Sequence, residues 1–329
     1  NQARLDYNLT NPQDPTLLLE PGRTQLAGYS KAITSANGYT LTNGTLTAND
    51  STAPDGSLTA STFKATSANG QFQKVKTGSS GVEYSVSVYV KRKTGTGTVY
   101  LRAVENANTA VTVTNEWTRV SATVTSTSTN VRFGMALATS GDEIFVWGFQ
   151  VEVGSYPTSF IPSADNSEVT RTADTCSLPN FSNIPTDYPL TVYWKGEVKE
   201  FNGFNCAFSI LKDGEAGVFL VVSFNTSSQV LVRRADGSGE DVDFISYSYS
   251  LGDVLKIGIK FTSATTFKLF INGSEIHNET SGVSKTWNFN SVLIGQLRIA
   301  SDTGTRNPCN ELMIFNEALT DAELTTLTT

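Results

Sequence analysis

The sequence predicts an all-β protein: two tandem antiparallel β-sandwiches followed by one short C-terminal helix. Three observations predict it. Apolar residues recur with period two in segment after segment, the pattern of strands that bury one face and wet the other. Thr, Ser, Asn and Gly are abundant while Met (2) and His (1) are scarce, a balance that suits pleated, half-solvated surfaces and turns. Turn signals recur at intervals of about ten to fifteen residues, as a sandwich requires.

At 329 residues the chain is long enough for two cores. The stretch Ile144 to Pro162, IFVWGFQVEVGSYPTSFIP, divides it. It opens as an apolar strand, turns at Gly154 and runs into the polar segment SADNSEVTRTAD. This places one module over residues 1–165, a linker over 166–185 and a second module over 186–329. The formal charge of −7 is uneven: residues 1–165 carry 12 acidic and 12 basic side chains, residues 166–329 carry 19 and 12. A neutral half and an acidic half exclude the basic footprint that nucleic acid needs. No apolar run approaches the ~20 residues that span a bilayer, so membrane insertion is not expected. The abrupt polar start at Asn1 suggests a part of something longer.

In the first half, Pro12, Pro15 and Pro21 exclude a helix, and Leu17-Leu18-Leu19 reads as one edge strand. Asn43-Gly44 between alternating residues signals a hairpin, and Ala53-Pro54-Asp55-Gly56 a turn. Tyr84, Val86, Val88 and Val90 form one clean apolar face; Val99, Leu101 and Ala103 form another, and Val131, Phe133 and Met135 a third. The strand Ile144 to Val153 closes the unit, and the sum is an antiparallel jelly roll. LLLEPGRTQLAGYS, APDGSLTASTFKAT, EYSVSVYVKRK, NEWTRVSATV and IFVWGFQVEVGSYPTSFIPS…TRTAD occur in that order. This series resembles the carbohydrate-binding-module-like region of bacteriophage tail and other virion structural proteins, over roughly residues 4–175. Gly22 and Gly28 depart from that pattern, standing where bulkier polar residues are expected.

In the second half, strands are expected at Thr191–Val198, Cys206–Leu211, Val218–Phe224, Val230–Arg234, Phe244–Ser250, Leu255–Phe261, Phe267–Ile271 and Val292–Leu297. Asn272-Gly273 signals a second hairpin, and turns are expected at Asp213-Gly214, Asp236-Gly237 and Leu251-Gly252. Thr320 with Glu323 makes a capping box, predicting a helix over Asp321–Leu327. The strand order, the FINGSEI hairpin, the IGQLRIA strand and the terminal ALTDAEL are similar to concanavalin A-like (laminin G-type) lectin sandwiches, over about residues 186–329.

Few residues suggest chemistry. Asp241 and Asp243 share a strand face, but Ser246 stands where a sandwich glycosidase would place a third carboxylate, so no enzyme is expected. His277 reads as an exposed strand residue. Cys176, Cys206 and Cys309 read as free thiols, with one disulfide pair as the alternative. Both resemblances imply that a structural Ca²⁺ is to be considered beside a cofactor-free reading. Its candidate ligands are Asp142 and Glu152 in the first half and Asp236, Asp241 and Asp243 in the second. Sugar binding needs flat aromatic faces. Trp117, Trp147 and Trp194 read as core, leaving Tyr39, Tyr247, Tyr249 and Trp287 as candidate glycan contacts.

The resemblances imply a non-enzymatic tail-fibre, spike or similar virion protein at the virion surface. It would bind host surface glycans and other virion subunits, as a homo-oligomer or in many copies. The rivals are passive capsid or tail decoration, and a glycan-binding module of a secreted polysaccharide-degrading enzyme.

Overall fold

The computed structural model describes residues 5–7, 15–104, 107–174, 176–179, 185, 187–198, 205–212, 215–295 and 307–329. Its early strands are β1 (Leu5–Tyr7), β2 (Pro15–Leu17), β3 (Arg23–Gln25), β4 (Thr40–Thr42), β5 (Gly44–Ser51), β6 (Ala60–Ala65), β7 (Gly70–Thr77) and β8 (Glu83–Thr94). There follow β9 (Val99–Ala103), β10 (Ala107–Val111), β11 (Thr118–Thr125), β12 (Asn130–Leu137), β13 (Glu143–Val153), β14 (Val169–Arg171) and β15 (Ser177–Pro179). The remainder are β16 (Leu190–Glu197), β17 (Asn205–Lys212), β18 (Glu215–Phe224), β19 (Gln229–Asp236), β20 (Glu240–Ser246) and β21 (Val254–Ser263). Last come β22 (Thr266–Ile271), β23 (Ser274–Glu279), β24 (Ser291–Ile294), β25 (Cys309–Phe315) and the helix α1 (Asp321–Thr328). The chain forms two compact units: Gly22–Thr172, and Ala173–Thr329 together with Asn1–Pro21.

The first unit packs two five-stranded antiparallel sheets, ordered β10-β9-β12-β7-β4 and β11-β8-β13-β6-β5, with a small β14-β3 ribbon. The alternation of β8 is realised: Tyr84, Val86, Val88 and Val90 are buried in one core with Phe63, Phe72, Phe133 and Phe149. Asn43-Gly44 does not make the expected hairpin. β4 pairs with β7 while β5 pairs with β6, so the dipeptide carries the chain from one sheet to the other. Asn43 takes φ 53, which serves a sheet crossing as well as a hairpin turn. Gly28 has φ +60, and a Cβ there would lie 2.9 Å from the Asn166 backbone, which explains a glycine where a larger residue was expected.

The Trp-Gly-x-Gln-x-Glu segment is a structural latch. The register of β13 on β8 slips between Trp147 and Gln150, and Gly148 takes φ 72 in that bulge. Phe149 and Val151 thereby enter the core, and Gln150 and Glu152 are buried on the opposite face. The Gln150 amide donates to Thr158 O (3.1 Å) and its oxygen accepts from Ile161 N (2.6 Å). Glu152 accepts from Thr158 N (2.9 Å), from the Thr158 hydroxyl and from Gln150 Nε2 (2.7 Å). Gln25 donates to Phe149 O (2.7 Å) and accepts from Val151 N (2.9 Å). These side chains supply the backbone of the Tyr-Pro-Thr-Ser turn with partners that a sheet neighbour would otherwise give.

The second unit packs a seven-stranded sheet, β1-β2-β25-β16-β21-β22-β23, on a six-stranded sheet, β15-β24-β17-β18-β19-β20. Its core runs from Leu190, Val192 and Trp194 through Phe208, Phe224, Ile257, Phe261 and Phe267. The strand at residue 17 pairs with Cys309 of β25, so it belongs here and not to the module beginning at residue 1. The segment expected as linker holds β14, which pairs with β3, and β15, which pairs with β24. The strand expected at Phe244–Ser250 lies earlier, at Glu240–Ser246, because the Asp236-Gly237 turn leads straight into pairing with β19. Asn272-Gly273 does form a hairpin, with φ 47 and 82 between β22 and β23. Helix α1 starts at a capping box in which the Thr320 side chain accepts from Glu323 N and Glu323 reaches back to Thr320 N. The Asp213-Gly214 turn and the part of IGQLRIA beyond Gly295 lie outside the described residues.

Glu152→Ala removes the acceptors of the Thr158 N–H, the Thr158 hydroxyl and the Gln150 amide. A loss of about 1–3 kcal/mol is expected in chemical denaturation of the full chain, the cost of buried donors left unmatched. An unchanged unfolding midpoint would show that the carboxylate is not what holds the turn.

Candidate functional site

The residues that converge in the second sandwich come from β19 and β20 of one sheet and β22 and β23 of the other. β20 ends the six-stranded sheet and β23 ends the seven-stranded one. Alternation on β19 sends Val230, Val232 and Arg234 toward the interior. Arg234 is 0% exposed, and its guanidinium lies over the Phe267 ring of β22 at 4.9 Å. A guanidinium removed from water needs anionic partners. β20 supplies them: Arg234 Nη2 bonds to Asp241 and lies 3.3 Å from Asp243 Oδ2. From β23 come His277, whose ring is 5.2 Å from that of Phe267, and Glu279. Asp243, His277 and Glu279 bring one ligating atom each to within 4.8 Å of one another. Burial pushes the Asp243 carboxyl upward from its ordinary value. Arg234 opposes that shift, and the neighbouring Asp241 and Glu279 charges add to it.

A second feature adjoins this seam. A groove of about 460 Å³ runs beside the ends of β21, β22 and β23 and reaches α1. Its polar lining includes Thr262, Thr266, Asn278 and Thr280, with Lys260, Lys268 and Asp321 beside them. Lys260 Nζ is 2.6 Å from Asp321 Oδ1 and Lys268 Nζ is 2.8 Å from Asp321 Oδ2, so one carboxylate holds both ammonium groups. The hydrogen bond from Lys260 keeps Asp321 below its ordinary carboxylate value, with Lys268 acting the same way. Thr262 Oγ1 and Thr266 Oγ1 lie 2.6 Å apart. Glu279 lines this groove as well as the seam.

The aromatic residues expected to meet glycan are mostly buried. Tyr39 is 2% exposed and packs edge-on against Phe72 and Phe133. Trp287 is 3% exposed and stacks on Phe289 at 4.8 Å. Tyr249 is 5% exposed, with its hydroxyl donating to Asn225 O (2.7 Å). Glycine and polar neighbours in sequence hid these long-range contacts. Tyr247 alone keeps a half-exposed face, its hydroxyl accepting from Asn272 Nδ2 at 3.3 Å. Trp194 and Trp147 are buried as expected, whereas Trp117 is only half-buried, with its indole N–H donating to Thr52 O (3.2 Å).

The acids expected to hold calcium mostly face donors. Glu152 is satisfied by Thr158 and Gln150. Asp142 accepts from Gly97 N (2.9 Å) and Arg92 Nη1 (3.3 Å). Asp236 accepts from Ser238 N and Oγ, with Lys285 Nζ at 3.6 Å. Asp241 is paired with Arg234. Each of these four has a donor from the protein; among the described residues Asp243 is the one of the five that stands in a cluster of ligating atoms. His277 is not the exposed strand residue expected but half-buried in the seam. Its partnership with residues 34 positions away is invisible locally. One signal was available: His277 and Glu279 alternate on β23 as Asp241 and Asp243 do on β20, polar pairs on the faces turned inward. All three cysteines are free.

No protein-family model and no curated protein sequence matches the chain. Among solved structures it is similar to the CBM40 of the Ruminococcus gnavus IT-sialidase bound to α2,3-sialyllactose, at 13% identity and a TM-score of 0.40. That likeness covers 47% of this chain and 97% of the other. The native heptameric SAP-like pentraxin from Limulus polyphemus follows at 15% identity and a TM-score of 0.39, covering 46% of this chain and 75% of the other. Domain 4 of AbnA, a GH43 extracellular arabinanase from Geobacillus stearothermophilus in complex with arabinotriose, is 17% identical with a TM-score of 0.39. It covers 47% of this chain and 72% of that one.

Hydrogen bonding from Ser238 lowers Asp236 from the ordinary 3.8 to about 2, with smaller help from Thr286 and Lys285. A depressed folded-state value contributes stability that is complete above the unfolded value and is lost as pH falls through about 2. Asp236→Asn is therefore expected to be less stable at neutral pH and to lose less further stability between pH 4 and pH 2. Parallel acid-denaturation curves for the two proteins would refute this assignment.

Proposed function

We propose that this chain is a non-enzymatic glycan-binding protein, and that adhesion from a virion surface is its setting. The groove beside β21–β23 carries the binding reading. Its size suits an oligosaccharide segment, and it offers hydroxyl, amide and ammonium groups that match sugar hydroxyls as donors and acceptors. Asp321 fixes both lysines before any ligand arrives, which lowers the cost of ordering them. The non-catalytic reading is supported by Asp241 and Asp243, which both engage Arg234. A retaining pair must stand ~5 Å apart and exchange a proton with substrate. The virion setting is supported by the order of motifs across the first half and by their use in one latch, WGFQVE holding YPTS. Single sites of this kind bind weakly, so presentation in many copies, with host glycan and neighbouring virion subunits as partners, belongs to the same proposal.

The test is binding of the full chain, displayed multivalently, to a glycan array and to host-type cells. Saturable binding is expected, and Asn278→Ala and Thr262→Val are each expected to weaken it about tenfold, the equivalent of one lost hydrogen bond in a fixed geometry. Absence of binding at high valency would sink the adhesion reading. Reducing sugar released from the bound glycan on long incubation would overturn the non-enzymatic one.

A further inference from the structure

The seam contains more negative charge than Arg234 neutralises. Asp241, Asp243 and Glu279 face one guanidinium, an excess that a divalent cation would cancel. Two side chains carry shielded polar atoms without a partner. His277 Nε2 is shielded from solvent and has no hydrogen-bond partner, as are Nε and Nη1 of the fully buried Arg234. Buried polar atoms of folded proteins are satisfied with few exceptions, and an orphan ring nitrogen beside two carboxylates has the chemistry of a metal ligand.

We propose that Asp243, His277 and Glu279 form a binding site for one divalent transition ion of the Zn²⁺ class. The donor set decides the class. A ring nitrogen with two carboxylate oxygens suits Zn²⁺ and its first-row neighbours, whereas Ca²⁺ prefers six or more oxygens. The donors lie within 4.8 Å of one another, so small side-chain rotations bring them to the ~3.4 Å spacing of a tetrahedral site. Supporting bonds orient both carboxylates: Ser281 N donates to Glu279 Oε1 at 2.8 Å, and Arg234 Nη2 lies 3.3 Å from Asp243 Oδ2. Three protein donors leave room for water in the coordination shell. Because β20 and β23 belong to different sheets, the ion would tie the two sheets of this sandwich together at their open side. The site does not depend on the groove taking glycan.

His277 is the only histidine, so the full chain labelled with ¹⁵N-histidine gives one imidazole to observe. Titration with Zn²⁺ is expected to shift its ring nitrogens with an endpoint at one equivalent. Calorimetry should show the same stoichiometry, with no competition from a hundredfold excess of Ca²⁺. His277→Gln and Glu279→Gln are each expected to weaken binding by at least about tenfold. Two variants guard against a folding defect in either, with circular dichroism as the check. An imidazole that does not respond to Zn²⁺ and only titrates with pH beside its carboxylates would overturn the proposal. So would one-equivalent binding that both folded variants retain, which would place the ion elsewhere.

Discussion

A charge inside a sandwich has to be answered by the same sandwich, and each half of this protein is arranged around one such charge. In the second, β19 carries Arg234 into the interior, where its guanidinium covers Phe267 on β22 of the opposite sheet. Burial of an unpaired cation costs several kcal/mol, so the neighbouring strands must present acids. That requirement accounts for Asp241 and Asp243 at inward positions of β20, where apolar residues would otherwise stand. In the first, Glu152 is fully buried and is answered by N–H and O–H groups of the turn it holds. The two solutions differ in consequence. Glu152 is satisfied by its own chain, while the Arg234 seam ends with acids and a ring nitrogen in excess.

What was legible in the sequence is what short-range physics controls. Period-two alternation placed β8, β9, β12 and β13 with their buried faces, and the capping box placed α1. The same dipeptide, Asn-Gly, succeeded at 272 and misled at 43. The φ > 0 it supplies is a local property, whereas which strands then pair is settled by the core. Burial of Tyr39 and Trp287 is illegible in the sequence for the same reason. Their sequence neighbours are glycine and polar residues, but each ring fills a gap between sheets whose strands are distant in the chain. The WGFQVE motif is plain in the sequence as a pattern, but its cause, a bulge at Gly148 that turns Gln150 and Glu152 toward the next turn, lies in the backbone.

The polar seam also meets a second demand. β20 and β23 each end a sheet among the described residues, and open edges invite pairing with other chains. Inward-pointing charges on terminal strands are a known defence, since a strand that adds to such an edge must bury them. Asp241, Asp243, His277 and Glu279 occupy such positions. Edge protection alone, however, is served by any charge at those positions and does not require three donors to converge. Convergence within 4.8 Å raises mutual repulsion between the carboxylates of Asp243 and Glu279. A sandwich selected only for stability would disperse these acids or replace Glu279 with an amide. Keeping them together is sensible where an ion is there to be held.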